Sequence, residues 1–266
     1  MIVCFITGHK IHRRVESRCF TLIELLVAIS IIALLVGILL PALSAARNTA
    51  LIIKCASNQK QIVLGTAAYA TDYDGAIPRG PDHTLGPLDP SGQGTWATLA
   101  SNIVWVPQPF LPDADYNAQG ILIEGYIHTY DILFCPGTDT PEAYEGQVEL
   151  IGSRTDFVLS GYMYRALDET TYDKLDSLGV NSAGERATAM YYDVNRHGPP
   201  GMPEATNHNE RIINAAYTDG HVTTFDNSQQ RYSGLTQHYS AWPDARPLMT
   251  RIDEILIRLD SPQYTD

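Results

Sequence analysis

Leu25–Leu40 is the stretch that most limits how this chain can fold, because its 16 consecutive residues contain nothing more polar than Ser30. With Phe20–Glu24 in front and Pro41–Leu43 behind, the run reaches the ~20 residues that a helix needs to cross a bilayer. This predicts a membrane helix or a signal sequence. Ahead of it, residues 1–19 form a basic leader carrying Lys10, Arg13, Arg14 and Arg18 against the single acid Glu16. Basic residues flanking a membrane segment stay cytoplasmic, so the bulk of the chain is expected on the other side. One ionisable group, Glu24, lies inside the apolar segment. Unpaired, such a group costs roughly 2.5–3.5 kcal/mol on insertion scales. A secretory signal peptide cut at Ala42-Leu43-Ser44 or Ser44-Ala45-Ala46 is the competing reading; a mere anchor or signal has no use for Glu24.

The order of residues is more specific than their hydropathy. A short basic leader, then Phe20-Thr21-Leu22-Ile23-Glu24, then an unbroken apolar helix with Pro41 well down it, resembles the prepilin-type cleavage and methylation segment of type IV pilins and type II secretion pseudopilins. The resemblance implies that a prepilin peptidase cuts between Cys19 and Phe20 on the cytoplasmic face and methylates the new Phe20 amine, and that Glu24 is needed for assembly. The family usually has glycine before the cut, where this chain has Cys19. It further implies a single-pass inner-membrane protein with a periplasmic or extracytoplasmic head, partnered by other pilin or pseudopilin subunits in a filament, and without enzymatic activity. In a bundle of such helices, Glu24 of one subunit can pair with the Phe20 ammonium of its neighbour, satisfying two groups that are costly alone.

Without the leader, 18 basic residues fall to 14 and 30 acidic residues to 29, so the remainder carries a net charge of −15. Phosphate backbones need clustered Lys and Arg, and nucleic acid is therefore not an expected partner. Of the four cysteines, Cys4 and Cys19 belong to the leader, leaving Cys55 and Cys135 downstream. Two thiols in an exported chain predict one disulfide; two unpaired buried cysteines are the alternative, since spacing along a chain does not set Cα separation.

From Ala42 to about Asp72 the pattern stays helical. Ile52, Cys55, Ala56, Ile62, Val63 and Ala67 fall on one side, and Arg47, Lys54, Asn58, Gln61, Gly65 and Asp72 on the other. This predicts a stalk whose second half packs on a domain, and CASNQKQIVLGTAAYATDYDGAIP also resembles the segment that follows the anchor in pseudopilins. Asp72-Tyr73-Asp74-Gly75 ends the helix. Its alternating carboxylates invite a calcium site on Asp72 and Asp74, but the late glutamate of a calcium loop is missing, so a helix-ending turn is favoured.

Residues 76–117, rich in Pro, Gly, Asp and Ser, read as a long loop with one short helix near Trp96–Ile103. A short helix is expected over Gly120–Tyr126, a buried strand over Asp131–Gly137 ending on Cys135, and strands over Asp156–Tyr164 and Arg186–Val194. Ala166–Leu178 reads as partly helical. The clearest signal in the head is Arg211–Asp226, where two strand-like runs flank Asp219-Gly220, a pair that favours a tight hairpin turn. It resembles the carboxyl-terminal H-X9-DG motif of a branch of prepilin-type proteins, with His208, Asn214, Asp219, Gly220, His221 and Val222 as counterparts, although ten residues separate His208 from Asp219. Ile252, Ile255, Leu256 and Leu259 predict a closing helix packed on the head.

His197, His208, His221, Asp193 and Asp219 can be drawn together as a metal or hydrolytic site. Local hydrogen bonding of turn residues explains them without one, and no nucleophile elbow, HExxH, CxxC pair or phosphate loop accompanies them. The expected fold is therefore α+β and pilin-like: a leader at 1–19, a transmembrane and assembly helix at 20–43, an amphipathic stalk at 44–75, and a head at 76–266 built on an antiparallel sheet. The expected function is that of a structural subunit. A membrane-displayed head that binds carbohydrate or another ligand through its long loops is the alternative.

Overall fold

A computed structural model of the chain describes residues 21–78, 101–106, 115–116, 118–153, 158–165, 174–195, 206–233 and 246–261. The leader, Cys19, Phe20, Trp96 and His197 lie outside these residues. Two compact units are present, Met1–Thr49 and Ala50–Asp266.

The first unit is helical from Leu22 onward, within α1 (Leu22–Asp72). Every residue from 21 to 49 is exposed, including the whole Leu25–Leu40 run. The helix is long and apolar enough to cross a membrane. Two of its hydroxyls bond back to the helix's own carbonyls: Ser30 Oγ donates to that of Leu26 and Thr49 Oγ1 to that of Ala45.

The second unit begins inside α1, so the second half of the stalk, from Ala50, folds as part of the head rather than as a separate segment. Around it stand strands β1 (Ser101–Val106), β2 (Asp115–Tyr116), β3 (Val158–Tyr164), β4 (Ala189–Asp193), β5 (Ile212–Tyr217) and β6 (Val222–Asp226). They form one antiparallel sheet in the order β2-β1-β3-β4-β5-β6. Two further helices are α2 (Pro141–Ser153) and α3 (Arg246–Asp260).

Alternation along the strands builds a different core on each face of the sheet. Tyr162 and Tyr164 of β3, Tyr191 of β4 and Ala216 of β5 pack with Cys55, Ile62 and Val63 of α1. Met163, Tyr192, Ile213 and Ala215 point the other way, onto Ile252, Ile255, Leu256 and Leu259 of α3. The predicted closing helix is thus a core element. A register shift between Ala189 and Tyr191 lets Met190 and Tyr191 share the α1 face.

Several expectations are corrected. Ile132–Cys135 is buried, but Asp131–Gly137 is not a strand: Tyr130–Leu133 is a 3-10 turn capped by the Thr129 hydroxyl, and Phe134 follows in extended conformation. The apolar run was read correctly as core and wrongly as strand because four residues cannot display a period. Ser101–Ile103, placed in a helix ending at Ile103, opens β1, where branched Ile103 and Val104 suit a pleated sheet. Gly120–Tyr126 is a 3-10 helix over Ala118–Glu124. The described part of Ala166–Leu178 is a turn held by a Lys174–Ser177 bridge. Asn58 and Gly65, assigned to the outer side of the stalk, face inward: Asn58 Nδ2 donates to the Phe134 carbonyl, and a Cβ at Gly65 would lie 2.9 Å from the Ile127 side chain.

Four tyrosines are fully buried, and three of their hydroxyls are satisfied: Tyr162 on the Phe134 carbonyl, Tyr164 on that of Pro78, and Tyr191 with Thr66. The Tyr192 hydroxyl has no partner among the described residues. Removing a buried, unbonded hydroxyl removes its desolvation penalty. Tyr192→Phe is expected to raise the unfolding free energy by about 1 kcal/mol in urea titration, whereas Tyr191→Phe, which breaks a bond, lowers it.

Candidate functional site

In the first unit, the functional candidates sit at the start of α1. Thr21 precedes the first helical residue, and its hydroxyl accepts a bond from the Glu24 N–H at 3.2 Å. Glu24 reaches back, its Oε2 accepting from the Thr21 N–H at 2.8 Å and from the Thr21 hydroxyl at 2.7 Å. Thr-x-x-Glu is a capping box, in which two orphan donors of the helix end are satisfied reciprocally. Glu24 therefore does have a local use, a signal present in the sequence and missed there. The box leaves its charge intact, because both partners are neutral.

In the head, Cys55 and Cys135 form the predicted disulfide, with Cα atoms 5.3 Å apart and a sequence separation of 80. Cys55 comes from the inward face of α1. Cys135 is set by a close approach of its backbone to β3: a Cβ on Gly161 would stand 2.5 Å from the Cys135 nitrogen, so only glycine admits the contact.

Asp193, at the end of β4, is wholly buried beside this disulfide. Its Oδ1 accepts from Gln59 Nε2 of α1 at 2.9 Å; its Oδ2 accepts from the Asn214 N–H at 2.7 Å and from Asn214 Nδ2 at 3.1 Å. Gln59 was missed in the sequence, where one glutamine among the polar residues of CASNQKQ carries no mark of facing inward. Asn214 also donates to the Ile52 carbonyl and accepts from Thr224, so it ties α1, β4, β5 and β6 together.

His208 enters from an unusual turn. His208, Asn209 and Glu210 take φ values of 55°, 53° and 57°, the left-handed region in which each L-residue costs roughly 1–2 kcal/mol. Several contacts hold the turn there: His208 N–H on the Gly137 carbonyl, both Asp139 carboxylate oxygens on the Asn209 N–H, and Asn227 Nδ2 on the Glu210 carbonyl. The imidazole lies against Gly137, where a Cβ would come within 2.3 Å of the ring. His208 Nε2 is 3.4 Å from Cys135 Sγ and 3.7 Å from Asp193 Oδ2.

The two halves of the 208–222 motif thus have different tasks. His208 and Asn214 build the buried cluster. Asp219, Gly220 and His221 form the turn between β5 and β6, with Gly220 at φ 85° and His221 Nδ1 at 2.5 Å from Asp219 Oδ1, both side chains exposed. The bond from the His221 N–H holds the Asp219 carboxyl below its ordinary value. Of His197, His208, His221, Asp193 and Asp219, the structure brings His208 to Asp193 in the buried cluster and His221 to Asp219 at the exposed turn, so the described members do not form one site. Asp72 accepts from the Tyr126 hydroxyl, and Asp74 pairs with Lys174 at 3.2 Å, so the two calcium candidates serve separate contacts at the helix end.

Burial pushes the Asp193 carboxyl up to about 7 against the pull of its bonds from Asn214 and Gln59, and burial pushes the His208 imidazole down. At 3.7 Å the pair lies within ion-pair range, but desolvation drives both groups toward their neutral forms, and no fixed cation faces the carboxylate among the described residues. Comparison of the chain with protein-family models, curated proteins and solved structures finds no match.

A chain-entropy argument assigns about 4 kcal/mol to a crosslink closing a loop of this length. Reduction is therefore expected to lower the unfolding free energy of the head by about 2–4 kcal/mol, and Cys55→Ala to leave it insensitive to reductant. Between pH 4 and 7 the folded chain keeps an Asp193 proton that an unfolded carboxyl near 3.8 has released, so rising pH withdraws stability there. His208 acts oppositely, since pH falling below 6.5 protonates the unfolded imidazole first. Lowering pH from 7 to 4 should shift the stability difference between wild type and Asp193→Asn toward the wild type by on the order of 1–3 kcal/mol; a pH-independent difference would exclude Asp193 from that titration.

Proposed function

We propose that this chain is a prepilin-like structural subunit of a type IV pilus or a type II secretion pseudopilus. In this reading the chain inserts with its head outside the inner membrane, prepilin peptidase cuts between Cys19 and Phe20 and methylates Phe20, and the exposed helix passes from lipid into a bundle of like helices. The pilin-like character of the α+β fold belongs to the same proposal. No catalysis is assigned to the head.

The observation that carries the reading is the state of Glu24. Its carboxylate heads the exposed apolar half of α1, residues 21–49, and its partners within the described chain are the neutral groups of Thr21. A helix serving only as an anchor would gain the same cap from glutamine. A carboxylate is favoured where a cation arrives from outside, and the freed amine of a neighbouring subunit is such a cation.

Because capping and charge can be separated, the test is direct. Glu24→Gln keeps the capping box and removes the charge; Thr21→Val keeps the charge and loses the cap, at a cost of about 1 kcal/mol. Both variants are expected in the membrane fraction. Glu24→Gln should reduce incorporation into sheared filaments at least tenfold, while Thr21→Val leaves it near wild type, and mass spectrometry should find a methylated Phe20 terminus. Wild-type incorporation of Glu24→Gln would overturn the proposal in favour of a display anchor, and a terminus near Ala45 in favour of a secreted protein.

A further inference from the structure

A disulfide by itself needs no imidazole and no carboxylate beside it. Here Cys55, Cys135, Asp193 and His208 each offer a ligand atom, all four are buried, and the four atoms lie within 4.8 Å of one another. They come from four separate places: α1, the segment after the 130–133 turn, the end of β4, and the left-handed turn before β5. Such convergence of sulfur, nitrogen and oxygen donors is the composition of a tetrahedral zinc site.

The distances fit that chemistry. With Zn–N near 2.0–2.1 Å and Zn–S near 2.3 Å, tetrahedral ligands stand about 3.3–3.8 Å from one another. His208 Nε2 is already 3.4 Å from Cys135 Sγ and 3.7 Å from Asp193 Oδ2. The outer partners that orient metal ligands are also in place: Gln59 and Asn214 hold the carboxylate, Gly137 leaves room for the imidazole where any Cβ would collide with it, and the Tyr162 hydroxyl donates to Cys55 Sγ at 3.5 Å. Burial holds a proton on the Asp193 carboxyl, and a bound cation can take that proton's place between the carboxylate and its neutral donors.

We propose that the chain in its thiol form, before the crosslink is made, binds one Zn²⁺ through Cys55, Cys135, Asp193 and His208. On binding, the two thiols release two protons and become thiolates, the imidazole binds neutral through Nε2, and the Asp193 carboxyl gives up to solvent the proton that burial keeps on it and supplies the fourth ligand as carboxylate. Metal and disulfide are then alternative closures of the same loop, the metal holding the head folded while the cysteines are reduced. This inference is independent of the filament reading.

The test uses the full-length chain in detergent with Cys4→Ser and Cys19→Ser, so that Cys55 and Cys135 are the only thiols. After phosphine reduction, Co²⁺ titration should give one tetrahedral, thiolate-ligated ion per chain, displaced by Zn²⁺, and Zn²⁺ should raise the melting temperature of the reduced chain. The oxidised chain should take up none. His208→Gln and Asp193→Asn should each weaken Zn²⁺ binding at least about tenfold, and the tertiary circular dichroism of their oxidised forms checks that folding is retained. His208→Cys, which keeps a zinc donor, should retain the tetrahedral spectrum with stronger sulfur charge transfer. Failure of the reduced chain to bind Co²⁺, or metal binding unaltered by both His208→Gln and Asp193→Asn, overturns the site.

Discussion

Placing a carboxylate in the interior of a small domain is costly unless hydrogen bonds replace the water it gives up. Asp193 draws those bonds from Gln59 on α1 and from Asn214 on β5. The stalk helix cannot rotate about its axis or slide along the sheet without abandoning this group, whereas apolar contacts such as those of Ile62 and Val63 would tolerate small displacements. Hydrophobic burial supplies the attraction between helix and sheet; the Gln59–Asp193–Asn214 connection supplies the register.

The same division explains which features could be read before the structure. Patterns that repeat were legible: the apolar run, the stripe of Ile252, Ile255, Leu256 and Leu259, and the paired runs about Asp219-Gly220. Features that depend on one residue meeting a partner far away were not. Asn58 and Gln59 look like surface residues in sequence, because their acceptors, the Phe134 carbonyl and Asp193, lie 76 and 134 residues on. The left-handed turn at His208–Glu210 was equally hidden, since no glycine marks it and the contacts that hold it come from Gly137, Asp139 and Asn227. Helix α2 left a local signal in Pro141 at its first position, but no apolar stripe strong enough to claim the segment.

Glu24 shows how a sequence argument can overlook a local partner. Its cost inside an apolar segment pointed outward, to a partner on another chain, while the nearest explanation lay three residues back in Thr21. The two explanations concern different properties of one side chain. Capping uses its oxygen atoms as acceptors, which glutamine also has, whereas the proposed assembly role would use its charge.

The bond between Cys55 and Cys135 also changes how the chain is connected. The segment between them, sequence separation 80, is a closed ring hung on the path from helix to sheet. A peptide bond broken anywhere in that ring, including within residues 79–100, leaves the apolar amino-terminal helix covalently joined to β3 through β6. Tension drawn along the helix likewise passes from Cys55 straight to Cys135, so the ring carries none of the load.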